Sequence, residues 1–159
     1  MVDVMGFDFD ISKYHSGLSS CRALLAEMDT LYQELDAKVA GVNDPTACRA
    51  CGRCCDFDAF GHKLYLTTPE LLYFAHHVAQ PFMPMTDGVC PYRIDGKCSV
   101  YLYRFTGCRI FQCCSSTAAQ SDLTEATIAR LKQLCREHNI PYHYINLNAA
   151  LNCTAPTDR

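Results

Sequence analysis

Between residues 16 and 40, apolar side chains return at alternating spacings of three and four: Leu18, Cys21, Leu25, Met28, Tyr32, Leu35 and Val39, with Leu24 and Leu31 widening the stripe. That period lays one apolar face along a helix and predicts an amphipathic helix over Ser16 to Ala40. The pattern covers only about three heptads and lacks a regular charged flank, so packing on the domain core is expected rather than a coiled-coil seam. Gly41-Val42-Asn43-Asp44-Pro45 is expected to end it, because glycine reaches left-handed geometry and proline pushes the residue before it out of the helical region.

Further along, Leu64-Tyr65-Leu66-Thr67 reads as a short extended segment. Thr67 or Thr68 then supplies a cap, Pro69 suits the first turn and Glu70 sits near the positive helix end, predicting a helix from Pro69 to Ala79 that Gln80-Pro81 stops. The stretch from Phe82 to Ser116 is crowded with cysteine, glycine and turn residues. It is expected to be irregular, to owe its order to metal ligation rather than to a core of its own, and to unfold first when metal is removed. A last helix is predicted from Asp122 to His138, with Leu123, Ile128, Leu131, Leu134 and Cys135 on or near one face, Ser121 as cap and Asn139 with Pro141 as terminator. Tyr142 to Leu147 fits a short strand and a packed extended tail equally well. The fold class expected is mainly α with irregular metal-organised loops and room for a small α+β component. N-terminal, middle and C-terminal helices would surround a cysteine-ligated metal core. A length of 159 residues suits one domain spanning 1–159.

Cysteine content changes this picture most, since 12 residues are cysteine and most fall in two groups. A disulfide framework is the rival to metal in a cysteine-rich chain. The first ten residues carry three aspartates and neither a basic region nor a long apolar core, which is unlike a signal peptide. A cytoplasmic location is therefore expected, where thiols stay reduced. A net charge of -3 gives no basic footprint for nucleic acid. The longest apolar run, Leu71-Leu72-Tyr73-Phe74-Ala75, falls well short of the ~18 residues of a membrane span. Cys21 and Cys135 lie on apolar helix faces and are expected to act as small hydrophobes.

Cys48, Cys51 and Cys54 form a C-x-x-C-x-x-C run, the spacing with which a loop wraps three corners of a cubic iron-sulfur cluster while a distant cysteine supplies the fourth. Overlapping C-x-x-C turns also suit a zinc knuckle. A bacterial ferredoxin would continue with Cys-Pro where this chain has Asp58. Together Cys48, Cys51, Cys54, Cys55, Cys90, Cys98, Cys108 and Cys113 give eight thiols, enough for two four-thiolate centres or for one with spare cysteines. Cys54-Cys55 and Cys113-Cys114 are adjacent pairs, and neighbours in an extended segment point to opposite sides, so one partner of each is expected to serve another site.

The run Cys48-x-x-Cys51-x-x-Cys54-Cys55, followed by Cys90-Pro91-Tyr92, Gly96-Lys97-Cys98-Ser99-Val100-Tyr101, Arg104 and Cys108-Arg109-Ile110-Phe111-Gln112-Cys113, resembles the CxxCxxCC, YkgJ-like family of zinc- or iron-chelating proteins. The resemblance covers roughly residues 45–115. It departs at Arg104-Phe105, where the family usually has arginine-proline. It implies metal ligation by the matched cysteines.

Arg104 and Arg109 flank the second cysteine group, where guanidinium groups would donate to cluster sulfurs and offset thiolate charge as cofactor-binding residues. Arg49 and Arg53, inside the first loop, carry a weaker form of the same expectation. His62 is the one histidine near a cysteine group, and a surface role is expected ahead of ligation. His76-His77 cannot both face one ion from a helix, and Asp56 and Asp58 read as solvated. No hydrolytic arrangement of serine, histidine and aspartate and no phosphate-binding glycine loop stands out, so no substrate or catalytic residue is named. The function expected is a metal-binding protein with a cysteine-ligated 4Fe-4S cluster, a redox or electron-transfer accessory or oxidoreductase component. Its partner would be a redox or metal-accepting protein, with neither nucleic acid nor membrane. The alternatives are a zinc-bound structural or partner-binding module and a metal-delivery protein.

Overall fold

The computed structural model describes residues 18–42, 48, 49, 51–113 and 116–153. The expected helix start at Ser16, the terminator Asn43 to Pro45 and Cys114 lie outside the described residues. In chain order the elements are α1 (Leu18–Val42), a 3-10 turn (Arg53–Cys55), α2 (Phe57–Phe60), β1 (Tyr65–Thr67) and α3 (Thr68–His77). There follow β2 (Arg93–Ile94), β3 (Lys97–Cys98), a second 3-10 turn (Tyr101–Tyr103), α4 (Thr106–Ile110), α5 (Thr117–Glu137), β4 (Tyr144–Asn146) and α6 (Leu147–Cys153). The protein is mainly helical and, among the described residues, has two small antiparallel ladders, β1 with β4 and β2 with β3. Among the described residues no helix is long and apolar enough to cross a membrane.

α1 buries Leu24, Met28, Tyr32, Leu35 and Val39 and packs on α3, α4 and α5. The buried line runs through Leu24, with Leu25 only half-buried. α3 is buried along nearly its whole length, from Thr68 to Ala75. Its Phe74 ring meets Phe82, Tyr92 and Phe105 with centroids 4.8 to 5.3 Å away. α5 adds Thr127, Leu131, Leu134 and Cys135 to the buried set. It starts at Thr117, so Ser121 lies inside the helix instead of capping it.

The open choice for Tyr142 to Leu147 resolves as strand: Leu66 pairs with Ile145 and Thr67 with Tyr144, and the Leu147 N–H donates to Leu64 O at 2.9 Å. One expectation needs correction. The stretch after Phe82 has apolar anchors of its own, because Phe82, Met85, Tyr92, Phe105 and Ile110 are all buried in the main core. Asn152 of α6 also clasps Met85 through both backbone groups, at 2.9 and 3.1 Å. Core packing therefore orders this segment alongside whatever ligation adds.

Glu70 joins the elements that lead to the cysteines. Its side chain is 1 % exposed. Oε2 accepts from Thr67 N at 2.7 Å and from Thr67 Oγ1 at 2.8 Å, while Oε1 accepts from Thr106 N at 2.7 Å and Tyr32 Oη at 3.5 Å. One carboxylate thus closes the first turn of α3 and fixes the first residue of α4, whose third residue is Cys108.

Candidate metal centre

The cysteine loops are brought together by backbone geometry. Asp95 and Gly96 both take positive φ, 50° and 73°, the two left-handed positions that a tight primed turn between β2 and β3 requires. That hairpin carries Cys98, paired with Arg93. Gly52, at φ 70° in the Cys51-Gly52-Arg53-Cys54 turn, packs against the hairpin tip: a Cβ there would lie 2.6 Å from Gly96 O. The 3-10 turn closes with Cys55 N donating to Gly52 O at 3.1 Å. Beyond it, Asp56 bridges Val89, Cys90 N donates to Cys55 O at 2.8 Å and Phe57 N donates to Gly88 O at 2.9 Å. Cys90 is thereby held alongside Cys55.

Gly52→Ala is expected to lower stability by about 1–3 kcal/mol, through left-handed strain plus contact with a backbone oxygen that cannot step aside. A Cβ at Gly41 meets nothing within 4 Å, so Gly41→Ala in α1 is expected to leave stability equal or raise it by up to about 1 kcal/mol. Urea denaturation of the two variants checks the contrast.

The side chains converge where the backbone does. Cys55 lies within hydrogen-bonding reach of Cys54, Cys90 and Cys98. The extended-segment expectation for Cys54-Cys55 is corrected here: a 3-10 turn sets successive side chains about a third of a turn apart, and these two touch. One S–H has one proton for three neighbours. Sharing it pulls Cys54 and Cys98 down to about 6 and lowers Cys90, and the Arg104 guanidinium assists at Cys54 and Cys98. Cys55, as the common donor, is pushed far up. Cys108 stands behind them, its thiol driven well above the ordinary range by burial and by the negative character of Cys90.

Among the described residues, no group of three or more histidine, cysteine, aspartate or glutamate side chains is arranged to hold a metal ion. All eight cysteines singled out from the sequence nevertheless line a single cavity of about 780 Å³. Cys48, Cys51 and Cys113 are exposed, Cys54, Cys90, Cys98 and Cys108 are half-buried, and Cys55 is buried. Cys48 also shares a 3.5 Å hydrogen bond with Tyr101 Oη.

The two flanking arginines part company. Arg104 lines the cavity, its guanidinium 3.6 Å above the Tyr101 ring and donating to Tyr101 O at 2.9 Å and Cys108 O at 3.1 Å. Arg109 does not line it. Its guanidinium sits 3.9 Å over the Tyr32 ring and donates to Asp36 Oδ2 at 2.7 Å, Arg104 O at 2.8 Å and Leu102 O at 2.6 Å. Arg109 thus ties α4 to α1 and holds the backbone that carries Arg104. Arg49 and Arg53 also line the cavity.

His62 is half-buried and lines the cavity wall. Its ring lies 5.1 Å from Phe57 and 4.9 Å from Phe111, and Nε2 is 3.3 Å from Cys54 O. Cys135, 2 % exposed, is part of the core as expected. Comparison with family models, with characterised proteins and with solved structures finds no match.

Proposed function

We propose that this chain is a cysteine-ligated metal protein whose centre is built by Cys54, Cys55, Cys90 and Cys98, backed by Cys108 and rimmed by Cys48, Cys51 and Cys113. The observation that carries this reading is the gathering of eight thiols, drawn from three separate segments, around one cavity. Thiolates select soft or borderline metals, so the donor set suits iron-sulfur, zinc or copper(I) rather than calcium or magnesium. The likeness of the cysteine pattern to the CxxCxxCC family is part of the same proposal and rests on these residues alone.

An iron-sulfur cluster is the first choice. Cys48, Cys51 and Cys54 keep the C-x-x-C-x-x-C spacing with which a loop wraps a cubic cluster, and all three line the same cavity. When bound, such a cluster supplies one-electron chemistry. The chain's part is to set the environment: Arg104 places positive charge beside Cys54 and Cys98, and the exposed Cys48, Cys51 and Cys113 leave the rim open to a partner protein. The role proposed is electron transfer or redox assistance to such a partner.

Zinc is favoured by a different observation. Cys55 lies within reach of three other thiols, four donors being the number that a structural zinc site uses, with zinc-sulfur bonds of about 2.3 Å. Four protein thiolates close the ion off, so zinc here would hold structure.

Purification without oxygen, followed by a visible spectrum and assays of iron, zinc and acid-labile sulfide, separates these readings. A coloured protein with stoichiometric iron and sulfide is the expected result. Colourless protein with stoichiometric zinc would replace the first choice with the second, and anaerobically purified chain that carries no metal would overturn the proposal.

A further inference from the structure

The cavity extends well beyond the thiols. A metal ion takes less room than a water molecule, whose share of liquid volume is about 30 Å³, and even a cubic iron-sulfur core leaves most of about 780 Å³ free. A volume of that order is ordinary for sites that hold small organic molecules, about 300–1,000 Å³. The wall past the thiols comes from Lys63, Leu64, Gln120 and Thr124, whose segments carry none of the eight cysteines, and from Phe111 and Gln112 between Cys108 and Cys113.

This wall has a definite chemistry. Phe60, His62 and Phe111 form an aromatic panel, with Phe60 6.2 Å and His62 4.9 Å from the Phe111 ring. The panel is fixed on one side by the contact of His62 Nε2 with Cys54 O. Charge is segregated as well: Arg49, Arg53, Lys63 and Arg104 line the cavity and, among the described residues, no aspartate or glutamate does. The chain as a whole has 17 acidic against 14 basic residues, so its composition does not account for that imbalance. Lys63 stands between His62 and Leu64 on the aromatic side.

We infer that the cavity binds a planar organic anion beside the cysteine centre, its ring against Phe60, His62 and Phe111 and its carboxylate, sulfonate or phosphate towards Lys63. Aromatic contact supplies the apolar part of recognition and the unopposed cations select the sign of charge. The inference does not depend on which metal the thiols hold.

The test titrates the protein as purified with 1-naphthalenesulfonate and with neutral 1-naphthalenesulfonamide, by calorimetry and by amide NMR shifts. Saturable binding of the sulfonate, about tenfold tighter than the sulfonamide, is expected for a charge-selecting site. Shifts should centre on Phe111, Gln112 and Thr124. K63E should weaken the sulfonate at least about tenfold and leave the sulfonamide within about twofold. K132E, on a separate surface hollow formed with Arg136 and Tyr142, should change neither. Should K63E fail to fold by circular dichroism, Lys63→Met keeps the stem, removes the charge and must show the same loss of selectivity. Equal affinity for the two probes, absence of saturable binding, shifts elsewhere, or indifference to the Lys63 variants would each overturn the inference. Metal content measured on the same samples keeps this outcome separate from that of the metal proposal.

Discussion

Cys55→Ser is expected to cost the protein at least about 100-fold in metal affinity, since loss of an outer hydrogen-bond partner alone costs about 10–100-fold and Cys55 is the sulfur that meets three others. Serine keeps the volume but offers a hard, weakly acidic hydroxyl where a soft thiolate is wanted. Cys135→Ser supplies the comparison. Cys135 is buried on α5 and burial raises its thiol to about 11, so its hydroxyl replacement should lower stability by about 1–2 kcal/mol while metal stays bound. Metal content after gel filtration, with urea denaturation on the same samples, separates the two. Equal metal retention in both variants would remove Cys55 from the centre.

The second large effect belongs to a residue that touches no sulfur. Glu70→Ala should lower stability by about 3–5 kcal/mol, because it leaves buried donors without their acceptor. Thr67 N and Thr106 N, each 2.7 Å from the carboxylate, lie inside the core, where water does not replace what is lost. Glu70→Gln keeps the shape but turns an NH2 group towards donors, so an intermediate loss of about 1–3 kcal/mol is expected. The damage should reach the cysteines, since Thr106 opens the helix that presents Cys108. A fall in the urea midpoint in the order Gln then Ala, together with weaker metal retention, is the expected record. An unchanged midpoint in Glu70→Ala would show that the carboxylate does not brace these elements.

How far the fold can be read from the chain follows from how local its causes are. α1 was legible because its apolar period runs unbroken for six turns, and α3 because Thr67, Pro69 and Glu70 stand in capping order. Glu70's second task, holding Thr106, depends on a contact 36 positions away, which no local pattern encodes. α5 begins before its predicted start because Ser121 is as good a cap residue as any, and only packing decides that Thr117 to Gln120 join the helix. The β2–β3 hairpin did have a local sign in Asp95-Gly96, a favoured pair for tight primed turns. That pair lies between Cys90 and Cys98, in a stretch whose cysteine density dominates its pattern.

At the site, residue type and spacing brought out all eight cavity-lining cysteines, since few other roles call for so many thiols at such spacing. They did not bring out the arrangement. That Cys54 and Cys55 face the same neighbours depends on a 3-10 turn, and that Gly52 meets Gly96 depends on two loops closing over each other. Arg104 and Arg109 look alike as neighbours of cysteine, yet Asp36 and Tyr32 on α1 take Arg109 into the core and leave Arg104 at the cavity. His62 joined the wall through Phe57 and Phe111, partners on both sides of it in the chain.

Ligation of metal by these thiols is open to X-ray absorption at the metal edge of anaerobically purified protein. A first shell of sulfur alone is expected, at about 2.3 Å if the metal is zinc, with loss of that shell's occupancy in a Cys55→Ser, Cys90→Ser double variant. A first shell of nitrogen and oxygen, or a sulfur shell untouched by the double variant, would contradict it.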